Sequence, residues 1–526
     1  MEIPLIKYPI GDQSFPSIRN GGFVYVDKTP YVWRLANDSK YFFLSRPRRF
    51  GKSLLISTLE EYFKGNRELF KGLAIDSLQP EPWPEYPVLH LDFTLQEYRT
   101  AGNLLNFLNK NLDKWEALYG SNPNDDSPTS RFATVIEKAF EKTGMPVVVL
   151  IDEYDKPILD CIDNPALMDE NRQALKSFYE SMKGVQKVLR FVMLTGVGKI
   201  GNINVFSGLN NIRDLSMNDD FAAICGITRE ELMSALEPGV KAFAEEYGVS
   251  TERMYELLRV SYDGYHFSRK MFDVYNPYSL LNALADKTLG EYWSRTGTPT
   301  RLVKQLCHTD LPVMELDGCT CSTEELMRGN VTENDLIPTL YYTGYLTLKG
   351  FDLENSEYTL GFPNKEVRAS FASYLLPMLT NMQQQDTNRL AGKLRKALAN
   401  NDLEEFFKVM KVYYSKFDYD LVENNEGHYQ DFFYAACLMV APEVKAEYKT
   451  AAGRIDLCLG TKTRIYIVEF KICDHPDQAP KKIEEAFEQI ERKQYDLPFR
   501  LDGRRIVKLA VVFDRESRNI AAWEAR

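Results

Sequence analysis

Three short stretches place phosphate-handling residue types at useful spacings. In the first, an apolar run (Tyr41-Phe42-Phe43-Leu44) enters a basic turn, Ser45-Arg46-Pro47-Arg48-Arg49-Phe50. It leaves through Gly51-Lys52-Ser53 into Leu54-Leu55-Ile56. Gly-Lys-Ser opening a helix grips phosphate. Backbone N–H groups and the helix N-terminus hold oxygens, Lys52 reaches the β- and γ-phosphates, and the Ser53 hydroxyl binds Mg²⁺. The spacing G-x-x-x-x-G-K-[ST] asks for glycine at position 46, and residue 46 is Arg. If the backbone there takes a positive φ, the side chain costs about 1–2 kcal/mol. Otherwise the loop follows another path, with Pro47 stiffening it. Arg46, Arg48 and Arg49 stand open between phosphate contacts and surface charges.

In the second stretch, Val147 to Ile151 are apolar, as a strand buried on both faces requires, and they end in Asp152-Glu153. An Asp at that end can hold Mg²⁺, and the Glu beside it can polarise the water that attacks a γ-phosphate. A further apolar strand, Val188–Gly196, carries Thr195 as a polar sensor near that phosphate. Gly196, Gly198 and Gly201 spell G-x-G-x-x-G, but no amphipathic helix start follows, so a dinucleotide site is not expected there.

The third stretch lies near the C-terminus. Gly453–Leu459 and Arg464–Ile472 alternate like paired strands around the tight turn Gly460-Thr461-Lys462-Thr463. Ile465, Ile467, Glu469 and Lys471 share one face, and pairing the strands brings Asp456 beside Glu469 and Lys471. Two carboxylates and a lysine suit a nuclease centre. The carboxylates hold Mg²⁺, which activates water, and Lys471 orients the water or the scissile phosphate. Glu-x-Lys alone is common on surface strands, and the bland reading is a solvated ion pair. The upstream Asp456, the hairpin and the apolar setting give it weight, because a buried carboxylate and ammonium need partners.

These residues need elements to position them. Residues 41–45, 88–93, 147–151 and 188–196 read as strands, separated by helical stretches such as 104–120. A short strand followed by a helix capped by Thr29 is expected over 23–38. That alternation predicts a parallel α/β sheet whose ligands bind at the carboxyl ends of its strands, where Ser45–Ser53, Asp152-Glu153 and Thr195 all fall. Thr228-Arg229-Glu230-Glu231 has capping-box spacing. Tyr262, Tyr265, Phe267, Tyr275 and Tyr278 read as an aromatic core cluster. Residues 334–375 read helix, strand, strand, helix, a winged-helix-like module expected to act as a lid or spacer. Residues 380–388 read as an exposed connection, followed by helices at 389–418 and 428–440.

At 526 residues, with 44% hydrophobic and 26% charged content, the chain is an ordinary multidomain globular protein. No apolar run approaches the roughly 20 residues that span a bilayer, so no membrane partner is expected. The 8 cysteines form no C-x-x-C pair, which fits a reducing cytoplasm. Cys307-His308 near Cys319 and Cys321 lacks a second pair at finger spacing, so no zinc site is expected. A net charge of −11 does not advertise nucleic-acid binding, and the part after Glu443 carries only a slight basic excess.

The motifs YVDKT, SRPRRFGKS, VVVLIDEYDKP, LTGVGKI and FSGLNNIRDLS, with YDGYHF and VYNPYSLLNAL, together resemble the AAA-ATPase-like domain of many bacterial proteins over about residues 1–290. The resemblance implies a P-loop NTPase fold of the additional-strand class. It implies an ATP site built from Arg46, Pro47, Arg48, Arg49, Phe50, Gly51, Lys52, Ser53, Asp152 and Thr195, with Glu153 catalytic, and it makes Arg46 a family feature. Residues 400–526 resemble the PD-(D/E)XK nuclease superfamily, with Asp456, Glu469 and Lys471 at the motif positions. Gln489 and Tyr495 match the glutamine–tyrosine feature of its recombination-type exonucleases and are candidate nucleic-acid contacts. A further acid is expected from Glu426 or Glu447. Lys481, Lys482, Arg492, Lys493, Arg500, Arg504 and Arg505 stand open between phosphate contacts and a solvated surface.

The expected architecture is thus an α/β multidomain chain. It has a P-loop parallel-sheet domain (1–220), a helical and winged-helix-like middle (221–388) and a restriction-endonuclease-like α/β domain (389–526). The expected function is ATP binding and hydrolysis coupled to Mg²⁺-dependent (or Mn²⁺-dependent) cleavage of nucleic acid, DNA in the first instance. A homo-oligomer through the ATPase domain is a further expectation. The competing readings are a nucleotide-switched DNA- or protein-binding module with a degenerate nuclease fold, and a pseudo-ATPase scaffold.

Overall fold

The computed structural model describes residues 6–83, 85–199, 212–293, 313–328, 336–380, 382–416 and 426–526, the side chains of Leu379 and Glu426 excepted. They form two compact units: Met1–Tyr292 with Cys321–Tyr358, and Trp293–Thr320 with Thr359–Arg526.

The first unit is built on a five-stranded sheet: β1 (Tyr41–Ser45), β2 (Val88–Asp92), β3 (Val147–Asp152), β4 (Leu189–Gly196) and β5 (Arg213–Asp214). The order is β2-β3-β4-β1-β5, and every neighbouring pair is parallel. β1 and β3 are buried along their whole length, which is why they read as unbroken apolar runs. β4 lies between them, so the strand leading into Gly51-Lys52-Ser53 and the strand ending in Asp152 are not neighbours. This is the inserted strand of the additional-strand class. One face of the sheet packs Leu89, Leu91, Val149 and Ile151 against helices Asn103–Tyr119, Pro128–Thr143 and Pro165–Gly184. On the other face, Phe63 of helix Lys52–Phe63 meets Phe191 of β4 with ring centroids 4.9 Å apart.

Two local expectations change. Residues 23–28 form no strand ladder. The helix that follows begins at Thr29, and its start is held by Asp27, whose carboxylate accepts from the backbone N–H and hydroxyl of Thr29 and from the N–H of Ala74. Asp27 therefore ties two helix starts together, which a local cap at Thr29 would not. The capping box of Thr228 and Glu231 is present as read, opening helix Arg229–Ala235. Helices Glu237–Tyr247, Thr251–Tyr262 and Pro277–Asp286 share an apolar core with it.

The expected helix–strand–strand–helix succession comprises helix Leu336–Thr343, β7 (Thr347–Asp352), β8 (Glu357–Gly361) and helix Lys365–Leu379. A short strand, β6 (Thr320–Ser322), completes a three-stranded sheet in the order β6-β8-β7. Cys307, His308 and Gly201 lie outside the described residues. None of the seven described cysteines forms a disulfide, and among the described residues no group of three or more His, Cys, Asp and Glu is gathered to hold a metal ion.

The second unit carries a five-stranded sheet in the order β13-β12-β11-β10-β9: β9 (Glu443–Thr450), β10 (Gly453–Gly460), β11 (Arg464–Cys473), β12 (Arg505–Asp514) and β13 (Asn519–Ala525). β9, β10 and β11 are antiparallel neighbours, while β11 and β12 run parallel and are joined through helix Ala479–Arg492. That helix buries Ile483, Ala486, Phe487 and Ile490 against Ile467, Ala510 and Val512. Elsewhere in the unit, Phe433 packs on Phe470, and Tyr414 and Tyr429 pack on Phe513.

Candidate functional sites

In the first unit, β1 delivers the loop 46–51 to the N-terminus of helix Lys52–Phe63. Gly51 sits at φ 94°, the left-handed region that glycine enters at no steric cost, and the loop's other left-handed residue is Arg49 at φ 68°. Arg46 has no positive φ, so the strain considered for a missing glycine does not arise at that position. Its side chain turns inward and is 1% exposed. Nη1 donates to the carbonyls of Ser45 (2.9 Å) and Ser216 (2.7 Å), and Nη2 to those of Phe221 (3.2 Å) and Ala222 (3.4 Å). Burial lowers its pKa from the ordinary arginine value. What Arg46 turns toward the helix start is its carbonyl. Lys52 Nζ donates to that oxygen at 2.9 Å and to the Pro47 carbonyl at 3.1 Å. Arg48 and Arg49 are exposed, with the Arg49 guanidinium 5.0 Å from the Tyr278 ring centre. Pro47 and Phe50 are buried and Ser53 is half-buried.

Asp152, buried at the end of β3, accepts from the Thr195 hydroxyl of β4 and from the Glu153 N–H (3.1 Å) through Oδ1. Glu153 is held at φ 49°, an uncommon setting for a non-glycine residue. Its carboxyl is pushed up from the ordinary value, first by burial, with the Lys52 charge opposing. A base poised this way retains basicity nearer neutral pH than a solvated glutamate.

Two residues missed in the sequence fix this corner. Asp155, 1% exposed, accepts from the N–H groups of Val197 (2.8 Å) and Gly198 (3.1 Å). The Tyr154 hydroxyl donates to the Gly198 carbonyl at 2.8 Å. They lock the loop that leaves Thr195. A Cβ on Gly196 would lie 2.6 Å from the Tyr154 ring, so that glycine serves close approach. The sequence signal was the glycine directly after an apolar strand.

Beside the helix start lies a cavity of about 90 Å³, lined by Val24, Val26, Lys28, Gly51, Leu54 and Cys225 among others. It is largely apolar. Lys28 at its wall donates to both Glu231 carboxylate oxygens (2.7 Å each) and to the Ala223 carbonyl (2.8 Å). Burial lowers the Lys28 pKa, and Glu231 opposes that shift.

In the second unit, β10 and β11 pair through Leu457↔Val468. One step further, Asp456 Oδ2 accepts from the Phe470 N–H at 2.8 Å, which sets its carboxylate beside Glu469. Glu469, 1% exposed, is bridged through Oε1 to Lys471 Nζ at 2.7 Å. The same ammonium donates to Gln489 Oε1 at 3.1 Å, from helix Ala479–Arg492. Tyr495 is hydrogen-bonded to Gln489 and feels the charges of Glu469, Asp456 and Lys471, while burial raises its pKa. The five residues read from the sequence are therefore gathered into one cluster. Gly453 leaves room for it: a Cβ there would come within 3.1 Å of the Tyr495 hydroxyl.

Of the candidate further acids, Glu447 lies on β9 at the position skipped between the pairs Leu457↔Ala446 and Ile455↔Tyr448, level with Asp456. Its backbone is at φ 47°, and its carboxylate is held by Arg454 at 2.8 Å. The Glu426 side chain lies outside the described residues. Several of the basic residues left open between phosphate contacts and a solvated surface are paired: Lys482 with Glu485, Arg500 with Asp496, and Arg504 with Asp502 and Glu443. Lys481, Arg492 and Arg505 are exposed and Lys493 is half-buried.

Residues 9–206 match the family described as a predicted AAA-ATPase, and residues 424–523 match the PD-(D/E)XK nuclease superfamily. The chain is 32% identical over 528 residues to an uncharacterized protein in the vnfD 5′ region of Azotobacter chroococcum mcd 1, covering 98% of each. Among solved structures, the Aeropyrum pernix ORC1 protein in complex with DNA is 14% identical. That match covers 66% of this chain and 92% of the other at a TM-score of 0.23.

Proposed function

From the chain's membership of the family of predicted AAA-ATPases with a C-terminal PD-(D/E)XK nuclease-superfamily domain, we propose that it is an ATP-hydrolysing protein whose second unit cleaves nucleic acid, DNA in the first instance. The observation that carries the nuclease reading is the Asp456–Glu469–Lys471–Gln489–Tyr495 cluster at the open end of a hairpin.

In the first unit, the N–H groups at the helix start and Lys52 bind the phosphate tail, with the ammonium leaving the Arg46 and Pro47 carbonyls for phosphate oxygens. Ser53 and Asp152 are the hard oxygen donors that suit Mg²⁺, which takes one or two protein ligands and keeps several waters. Glu153 takes the proton of the attacking water, and Thr195 positions the γ-phosphate while keeping Asp152 oriented. The apolar cavity against Gly51 receives the base.

In the second unit, Asp456 and Glu469 supply oxygen donors that fit Mg²⁺ or Mn²⁺. A bound divalent ion supplies charge neutralisation at the scissile phosphate and a more acidic water. Lys471, held between Glu469 and Gln489, donates to that phosphate or to the attacking water. Tyr495 keeps Gln489 in place.

The test is a panel of double-stranded DNA, single-stranded DNA and RNA with Mg²⁺ or Mn²⁺, with and without ATP, run beside Asp456→Ala and Lys471→Ala. Cleavage by wild type and its loss in both variants is the expected result. Equal cleavage by all three proteins defeats the site assignment. A second reading, nucleotide-switched DNA binding without cleavage, has one observation in its favour: the Glu469 carboxylate is engaged by Lys471 rather than standing open to a metal. DNA binding that depends on ATP, with no product in any arm, supports that reading instead.

A further inference from the structure

Of the aromatic segment 262–278 only Tyr278, beside Arg49, has entered the site as described so far, yet the segment touches the phosphate loop at several further places. Tyr265 bridges to Val274, and Tyr275 bridges to Ile227, which fixes the segment as a folded unit beside the loop. Phe50, 1% exposed, meets the Tyr265 ring edge-on at 4.8 Å and the Phe267 ring at 5.2 Å and 90°. The Phe50 carbonyl accepts from the Gly226 N–H at 3.2 Å. The Arg46 guanidinium, whose edges hold four carbonyls, lies over Phe267 at 4.2 Å from the ring centre.

Arg46 thus anchors the loop through its side chain while its own carbonyl grips Lys52. The direction of that carbonyl, and with it the position of the ammonium, depends on where the guanidinium sits. Carbonyls confine the guanidinium at its edge, and Phe267 confines it at its face. A loop with glycine at this position would have no such anchor.

We propose that Phe267 is a positioning residue of the nucleotide site. Stacked on Arg46, it sets the path of the phosphate loop and the resting place of Lys52. Its neighbour His266 carries that position to β7. His266 has its backbone N–H on the Thr347 hydroxyl (2.7 Å), Nδ1 on the Leu348 carbonyl (2.6 Å) and Nε2 on Asp273 (2.6 Å). Nucleotide at the loop and the state of β7 are then coupled, and the coupling acts in both directions. The inference rests on the ATP reading of the site.

The test measures MgATP binding to the full chain by calorimetry in wild type, Phe267→Leu, Phe267→Tyr, Lys52→Ala and Phe132→Leu. Phe132 is a buried core ring on the far face of the sheet and controls for general loosening. A buried cation–ring contact predicts about tenfold weaker binding in Phe267→Leu, with Phe267→Tyr within about twofold of wild type. Phe132→Leu should melt earlier with its affinity kept. A second readout is hydrogen exchange at Thr347–Asp352, which should slow on adding MgATP to wild type and stay unchanged in MgATP-saturated Phe267→Leu.

Wild-type affinity in Phe267→Leu beside a loss in Lys52→Ala overturns the proposal and leaves the ATP site standing. Equal weakening in Phe267→Leu and Phe132→Leu also overturns it. Exchange at β7 that ignores MgATP removes the link through His266. No MgATP binding by wild type removes the ATP reading and the proposal with it.

Discussion

Lys52 and Lys471 invite comparison, because each is the cation that a phosphate would meet in its own unit. Lys52 is 5% exposed and donates to two backbone carbonyls of its own loop, Arg46 and Pro47. Lys471 donates to two side chains, Glu469 and Gln489. Backbone carbonyls are neutral, so Lys52 keeps its charge available to an incoming anion, and the loop that holds it also sets its place. A carboxylate partner offsets the charge of Lys471, so a phosphate there would meet a cation that is already paired. The first site is organised by loop geometry and the second by side-chain exchange. The first should therefore be sensitive to whatever anchors the loop, and the second to the loss of any one member of its cluster.

The largest expected effect tests the second half of that contrast. Asp456→Ala or Lys471→Ala should lower cleavage by about 10³-fold or more, ~4 kcal/mol of transition-state stabilisation, with MgATP affinity unchanged. A loss below tenfold would make Lys471 an ordinary ion-pair partner and erase the contrast. The next effect tests the first half. Arg46→Ala removes the buried donor shared by the carbonyls of Ser45, Ser216, Phe221 and Ala222, of which Phe221 keeps the Ile224 N–H, so the first unit should lose ~3 kcal/mol by denaturant unfolding. Its second-unit cluster should cleave as before. A loss under 1 kcal/mol would mean that the loop holds itself.

Smaller again, Glu153→Gln should reduce ATP turnover by about 10²-fold while MgATP binding holds. Burial raises the Glu153 carboxyl pKa, so wild-type turnover should fall with acid earlier than for a solvated glutamate. The measurement is the pH profile of turnover against that of binding.

The same contrast explains what could be read from sequence. β1 and β3 were legible because burial on both faces leaves nothing but apolar residues between Tyr41 and Leu44 and between Val147 and Ile151. Lys52, Asp152 and Thr195 followed from strand ends. The Asp456–Glu469 pairing followed from a hairpin, where register is local. β9 was not legible. Its Glu-Val-Lys-Ala-Glu-Tyr-Lys-Thr alternates charge with small or aromatic residues, as an edge strand can, and offers no apolar run. The inward turn of Arg46 was hidden for a different reason. All its partners but Ser45 lie near residue 220 or at Phe267, and no local pattern reports a contact across such a separation. Asp155 and Tyr154 were missed likewise, because their partners sit on the loop after β4.

The smallest effect compares one buried carboxyl from each unit. Asp263 in the first is pushed up to about 6, mainly by burial, with the Gly264 N–H and the Tyr275 hydroxyl opposing. Asp431 in the second is pushed up to about 7, mainly by burial, although the N–H groups of Met314 and Val313 favour its charged form. An unfolded aspartate titrates near ~3.9. Between that value and the folded one, the native state binds the extra proton, so each group contributes stability that is full below about pH 4 and lost as pH rises through its folded pKa. The loss runs to about pH 6 for Asp263 and to about pH 7 for Asp431. Asn keeps an acceptor for the two backbone donors and cannot titrate. Asp431→Asn should therefore gain on wild type as pH rises from 5 to 7, with a difference of order 1 kcal/mol per pH unit at most. Asp263→Asn should stop gaining nearer pH 6. Melting temperatures across pH 4–8 measure both. Parallel curves for wild type and Asp431→Asn would mean that the two backbone donors hold the carboxylate charged, and that burial does not govern this position.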